Sequence, residues 1–186
     1  MSLSPSPTLR AFLRRFRRDR SGVTAVEFAL IAGPFFFIIF AIIETALATT
    51  AGVFLNDAVN TAARNVLTGQ VQASDMDADG FRAQICDRVD ILMSCDRLKL
   101  DLRTYPAGTP IPDFQMKDGS IDSSTFCFDP GAQDTITVLR AYYEWPWTTA
   151  ILNRLASDTN GNAILYSVAA FMNEPFGSVT SQHVTC

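Results

Sequence analysis

The sequence has few of the residues from which most enzyme active sites are built. Among its 186 residues there is one histidine, His183, and only 18% of the residues are charged. A single histidine argues against a histidine-rich metal centre and against a Ser-His-Asp triad. The sequence also has no glycine-rich phosphate loop and no C-x-x-C pair. The composition therefore favours a protein that is not an enzyme and uses no cofactor and no metal.

Positive charge is concentrated at the N-terminus. Residues 1–22 contain one acid, Asp19, whereas the rest of the chain has nine bases and eighteen acids. A basic head on an acidic chain is typical of either a nucleic-acid-binding arm or a membrane-orientation signal. The bases of this head are Arg10, Arg14, Arg15, Arg17, Arg18 and Arg20.

The segment after the basic head is apolar. Sixteen uncharged residues separate Glu27 from Glu44, and the apolar stretch runs from 23 to 47. As a helix, this stretch is about 36 Å long, enough to cross a bilayer core of about 30 Å. The core helix of a small soluble protein usually keeps a polar face, which this stretch lacks, and a cleavable secretory signal would be shorter. We therefore expect a transmembrane helix and no nucleic-acid partner.

The arginines also orient this span, because basic residues stay on the cytoplasmic side of a membrane. Three regions follow: a basic cytoplasmic leader at 1–22, a transmembrane segment at 23–47 and an outer domain at 48–186. The span continues into an amphipathic pattern, which predicts one helix from Thr24 to Thr68 that stops at Gly69. Pro34 should kink it.

The outer domain mixes helical and strand patterns. A short amphipathic helix is predicted over 80–94. A half-buried strand is predicted over 98–106, with its leucines on one face and Lys99, Asp101 and Arg103 on the other. A loop-like stretch at 107–134 precedes two further strand-like runs at 134–147 and 162–176. The predicted fold class is α+β, with a long N-terminal helix and a small antiparallel sheet.

An aspartate-rich segment, SDMDADG at 74–80, has two interpretations. Asp75, Asp77, Asp79 and Gly80 match the start of a calcium-binding loop, but the position of its closing glutamate holds Cys86. The simpler interpretation is a solvated turn in which Asp79 caps the following helix.

Two further groups of side chains have functional alternatives. Asp87 with Asp90, or Glu144, could form the acid–base pair of an anchored enzyme, although such acids more often lie on a solvated face or make structural contacts. The second group is aromatic, and it could lie at the edge of the core or form a partner interface. It consists of Tyr142, Tyr143, Trp145 and Trp147.

The four cysteines all follow the span, at Cys86, Cys95, Cys127 and Cys186. An even number of cysteines in an oxidising compartment predicts two disulfides, and the spacing does not suit a zinc site. Four cysteines allow three pairings, and the sequence leaves all three open. We favour Cys86–Cys95, which closes a local loop, with Cys127–Cys186.

Glu27 is the unusual residue of the apolar stretch, because an unpaired carboxylate is costly inside a membrane. It could instead lie at head-group level and reach water. Its context is RDRSGVTAVEF, in which Gly22 is followed by Val23 and, four residues later, by Glu27 and Phe28. This arrangement resembles the processing site of type IV-like prepilins, where a basic leader ends in glycine and the fifth mature residue is glutamate.

The resemblance can be narrowed to the TadE-like family of the tight-adherence (Tad, or Flp) pilus. The Glu-Phe pair, with Pro34 six residues on, is similar to TadE- or TadF-type pseudopilins. The stretch VLRAYYEWPW at 138–147 and the motif Asn173-Glu174-Pro175-Phe176 are also similar to that family. TadG-type members are usually longer, whereas TadE and TadF types stay open.

The resemblance implies a minor pseudopilin of a bacterial inner membrane, with its outer domain in the periplasm and later, on assembly, in the extracellular pilus. Its implied partners are a prepilin peptidase that cuts between Gly22 and Val23, other pilins, the Tad secretion machinery and inner-membrane lipid. Glu27 would pair with the new amino group of Val23 and set the register of the fibre. The alternative is an unprocessed, single-pass periplasmic binding or adhesion protein.

Overall fold

The computed structural model describes residues 22–113, 116–117, 120–157, 161–177 and 183–186. The six arginines predicted to form the cytoplasmic leader lie outside the described residues. The chain divides into two compact units, Met1–Ile42 and Ile43–Cys186.

The first helix, α1, spans Val23–Leu67 and so begins and ends within one residue of the predicted bounds. Within the first unit its apolar side chains are exposed, for example Phe28 at 70% and Ile31 at 72%. Among the described residues, α1 is the one helix long and apolar enough to cross a membrane, and its apolar window is entirely unburied. It is therefore a candidate membrane anchor. Pro34 lies inside α1, and the kink stays a prediction.

In the second unit, the outer half of α1 carries a buried stripe at helical spacing. Small residues dominate this stripe, which lets the helix approach its neighbours closely. Its members, each no more than 6% exposed, are Ala48, Ala51, Leu55, Ala58, Val59, Ala62, Ala63 and Val66.

A three-stranded antiparallel sheet forms the other layer of the second unit, in the order β1-β4-β5. The predicted α+β class, with a long helix and a small antiparallel sheet, is confirmed. The strands of the sheet are β1 Leu98–Tyr105, β4 Ile136–Pro146 and β5 Asn162–Met172. A separate hairpin consists of β2 Met116–Lys117 and β3 Ser120–Ile121, and it lies within the segment predicted as loop. The remaining helices are α2 Gln70–Ala73, α3 Ala78–Val89, a 3-10 turn at Cys95–Arg97 and α4 Ala150–Leu155.

The core lies between the stripe on α1, helix α3 and one face of the sheet. Phe81 and Ile85 of α3 are at most 1% exposed, as are Leu102 of β1 and Leu139 of β4. These residues form one continuous apolar cluster with the α1 stripe. Burial of such side chains is the main term that stabilises a domain of this size.

The face of β1 opposite the leucines differs from the prediction that it is solvated. Asp101, expected on the solvated face, is completely buried. Its carboxylate accepts hydrogen bonds from Arg140, 2.9 Å from Nε, from Arg103, and from the backbone N–H of Cys127 at 3.1 Å. A buried carboxylate needs such partners, and they tie the loop after β3 to the sheet.

The aspartate-rich segment caps α3, but through a different residue from the one predicted. The side chain of Asp77 accepts a hydrogen bond of 2.8 Å from the backbone N–H of Gly80, whereas Asp79 lies in the first turn. Asp77 has the extended backbone that an N-cap requires, with φ −87° and ψ 176°. The predicted cap at Asp79 is therefore wrong by two residues.

Two disulfides join Cys86 to Cys95 and Cys127 to Cys186, the pairing favoured from the sequence. The first links α3 to the 3-10 turn that precedes β1. The second is flanked by a short contact in which the Thr185 N–H donates to the carbonyl of Phe128 at 3.0 Å.

The Asn173–Phe176 motif closes the C-terminal end of α1. The N–H of Glu174 donates to the carbonyl of Leu67 at 2.9 Å, which satisfies one of the free carbonyls at the helix end. Asn173 is 1% exposed and donates to the carbonyls of Pro130 and Ala132, each at 2.9 Å. Phe176 packs over Gly69, where a Cβ would lie 2.4 Å from the ring.

We predict that Gly69→Ala destabilises the full chain by about 2 kcal/mol or more. The substitution adds a side chain at φ +75° and drives it into the Phe176 ring. Gly108→Ala is the matched control, because Gly108 has φ +80° with open space around the added Cβ. It should cost only the backbone term of about 1 kcal/mol. Thermal unfolding in detergent measures both, and equal losses would contradict the Phe176 contact.

Candidate functional site

The first turns of α1 carry the predicted processing residues. Gly22 immediately precedes α1, and its carbonyl accepts a hydrogen bond of 3.1 Å from the N–H of Val26. Val23 is the first residue of the helix and is 47% exposed. A Cβ added at Gly22 would meet no atom within 4 Å, so nothing in the described residues requires glycine there.

Glu27 lies four residues after Val23, so the two share one face of α1. Its side chain is exposed, as is that of Phe28. A carboxylate one turn from a helix N-terminus favours a positive charge beside it. These first turns therefore carry an exposed acid about one helical turn from the backbone nitrogen of Val23.

Glu44, at the outer end of the apolar stretch, is 9% exposed and held by the β4–β5 connection. Its carboxylate accepts hydrogen bonds from the backbone N–H groups of Thr148 and Thr149, the latter at 3.0 Å. Thr149 is the residue before α4, so Glu44 fixes the point at which that helix begins.

The segment after β4 is described at 147–157, the residues that we call the β4–β5 connection, and its own side chains hold it closed. The indole N–H of Trp147 donates to the carbonyl of Ala156 at 3.0 Å. Asn153 donates to the carbonyl of Gly161 at 3.0 Å. Trp147 also lines a groove of about 770 Å³ between α1 and β5, beside Thr45 and Ala48. These contacts place the connection against the part of α1 that follows Glu44.

The four aromatic residues near the end of β4 do not form one cluster. Tyr142 packs on Phe126 with ring centroids 5.6 Å apart, and burial raises its pKa. Tyr143 points to the opposite face, where its ring lies 6.3 Å from that of Trp145. Successive strand residues alternate between faces, which separates the two tyrosines.

Glu144 is held in a polar cluster that the sequence did not reveal. Its carboxylate accepts hydrogen bonds from Lys99 at 3.0 Å, from Ser120, and from the N–H of Ile121 at 3.2 Å. Burial opposes ionisation of Glu144, but these bonds outweigh it and lower the pKa below its ordinary 4.5. The cluster attaches the β2–β3 hairpin to the sheet.

Comparison with known families gives one match. Residues 22–64 match a family model described as TadE-like protein. This segment is TadE-like. The match covers less than a quarter of the chain and contains Gly22, Glu27 and the whole apolar stretch. A search of curated proteins and a search of solved structures each found no match.

The TadE-like match covers the apolar part of α1, the candidate membrane anchor. The match ends within α1, before the sheet and before the Asn173–Phe176 motif. The roles of those outer residues therefore follow from the contacts that they make.

We predict that Glu144→Gln reduces stability at neutral pH by about 1 kcal/mol. The pKa of Glu144 is lower in the folded chain, so its contribution is present above pH 4.5 and is lost as pH falls through the folded value. The two chains should therefore become equally stable in acid. Unfolding curves at several pH values test this, with exposed Glu174→Gln as the control. A constant difference down to acid pH would contradict it.

Proposed function

We propose that the protein is a minor pseudopilin, of TadE or TadF type, which functions in the biogenesis of the Tad (Flp) pilus and in adhesion. One observation carries the proposal: the TadE-like match begins at Gly22 and covers the apolar part of α1, the one membrane-capable helix in the described part of the chain. Its role is structural rather than catalytic, and it is itself the substrate of a peptidase.

Processing would occur between Gly22 and Val23, on the cytoplasmic side of the inner membrane. Two observations support this position. The helix starts at Val23, so the scissile bond lies at its N-terminal boundary, and Gly22 carries no side chain to crowd a protease. The six arginines of the leader would hold that end inside, which leaves the second unit in the periplasm.

Cleavage would create a free amino group on Val23, one helical turn from the Glu27 carboxylate. Inside an apolar bundle of helices, an unpaired charge of either sign is costly, so amine and carboxylate would pair within or between subunits. Such a pair would fix the axial register of the subunit in the fibre. Its partners would be other pilins and the Tad secretion machinery.

The second unit would provide the contacts made outside the membrane. Its two disulfides suit an oxidising compartment such as the periplasm. Its contacts would be with other pilus components, in the periplasm and then at the cell surface once the pilus has assembled. A chain that keeps its leader would instead be an anchored periplasmic binding or adhesion protein.

We predict that Gly22→Leu blocks processing, because a side chain at this position would obstruct the peptidase. Gly33→Leu is the matched control, since neither glycine has an atom within 4 Å of an added Cβ. Intact mass and N-terminal sequencing, with and without a co-expressed prepilin peptidase, should find Val23 first in the wild type and in Gly33→Leu only. A wild type that starts near Met1 in both strains would favour the anchored binding protein.

We also predict that Glu27→Gln inserts into the membrane and is processed normally but enters pili poorly. Glutamine keeps the size of the side chain and removes the charge that would pair with the Val23 amine. Quantifying the chain in sheared pili and in membranes separates the two steps. Normal incorporation of Glu27→Gln would show that the charge has no role in assembly.

A further inference from the structure

The β4–β5 connection is held at one level of α1. The Glu44 carboxylate binds the N–H groups of Thr148 and Thr149. Glu44 is also the first charged residue after sixteen uncharged ones. A hydrocarbon core of about 30 Å takes up about twenty helical residues, so a span centred on this stretch ends close to Glu44. The connection therefore begins where the hydrocarbon would end.

The exposed side chains of the connection have the chemistry of a membrane interface. Leu155 is 80% exposed and lies beside Arg154, which is also exposed. Trp147 is partly exposed, and tryptophan is enriched at head-group level, where one end of the ring is apolar and the other is wet. Arginine beside an exposed leucine can extend its charge to lipid phosphates.

The exposed charge of the connection is positive. Within 146–157 the one charged residue is Arg154, which is exposed, and the next acid along the chain is Asp158. An anionic bilayer surface attracts an exposed arginine, although it repels a domain with an excess of acids. The apolar surface of α1 also continues past Glu44 at Leu47, which is 45% exposed.

We propose that the β4–β5 connection lies in the head-group region of the bilayer and contacts lipid through Trp147, Arg154 and Leu155. The inference rests on the proposed membrane span, which it deepens by adding a second lipid contact. Glu44 sets the depth of this contact, because it holds the connection to the end of the span. The second unit would then stand on the membrane at two places until the subunit leaves the bilayer.

The two tryptophans of the chain allow a direct test. Trp145→Phe leaves Trp147 as the single fluorophore of the full chain. In vesicles of phosphatidylcholine and phosphatidylglycerol, lipids brominated near the head group should quench Trp147 at least twofold. Lipids brominated deep in the acyl chain should quench it less. The control carries Trp145→Phe, Trp147→Phe and Met172→Trp, because Met172 is 61% exposed at the far end of β5. It should not be quenched.

A paired substitution tests whether the connection itself makes the contact. In the Trp147-only chain, Leu155→Asp should reduce shallow quenching by about half. Ile91→Asp should leave it unchanged, because Ile91 is equally exposed, at 85%, but lies after α3. Circular dichroism confirms that both variants fold. Equal quenching in the two variants would overturn the contact.

Failure of the inference and failure of the proposed span give different results. Flotation with the vesicles and resistance to alkaline extraction report the span alone. A chain that floats but whose Trp147 is no more quenched than the Met172→Trp control would overturn the interface contact and leave the span standing. A chain that does not float would overturn the span itself.

Discussion

The packing of one stripe of α1 against the sheet holds the second unit together. The stripe consists mainly of alanines with a few larger residues such as Leu55 and Val59, all at most 6% exposed. Alanine brings helix and sheet close together, while the larger side chains fill the space between them. The same helix is exposed along its apolar first half. One continuous element therefore uses two apolar surfaces, of which the protein's own sheet covers only the second.

Local periodicity made the helices and strands predictable. The ends of α1 and the three sheet strands lie close to their predicted bounds, because apolar spacing and a glycine stop are properties of neighbouring residues. Contacts between distant residues were not predictable in this way. Asp101 was expected on the solvated face, because its partner Arg140 lies 39 positions later in the chain. Glu44 likewise binds a segment 104 positions away. The cap of α3 was misplaced because three aspartates share the turn and only backbone geometry selects Asp77.

The candidate site divides in the same way. Gly22, Glu27 and the apolar stretch could be recognised from sequence, because their spacing along one helix carries the TadE-like signal. The Asn173–Phe176 motif could be recognised in the sequence, but the contacts that explain it could not be predicted. It satisfies the carbonyl of Leu67 and covers Gly69, so it closes the helix that begins at Val23. A motif near the C-terminus thus caps the end of a helix that begins near the N-terminus.

The disulfides also determine how the protein would respond to mechanical load. The bond between Cys127 and Cys186, at a sequence separation of 59, closes a ring that contains β4, the β4–β5 connection and β5. Up to about 200 Å of chain is thereby prevented from extending. Helix α1 and strand β1 both lie outside this ring, whereas β4 and β5 lie inside it. A force applied through α1 would therefore act along the chain before Cys127 and on the apolar stripe, and β4 and β5 would stay joined as one closed loop while the earlier segments extended.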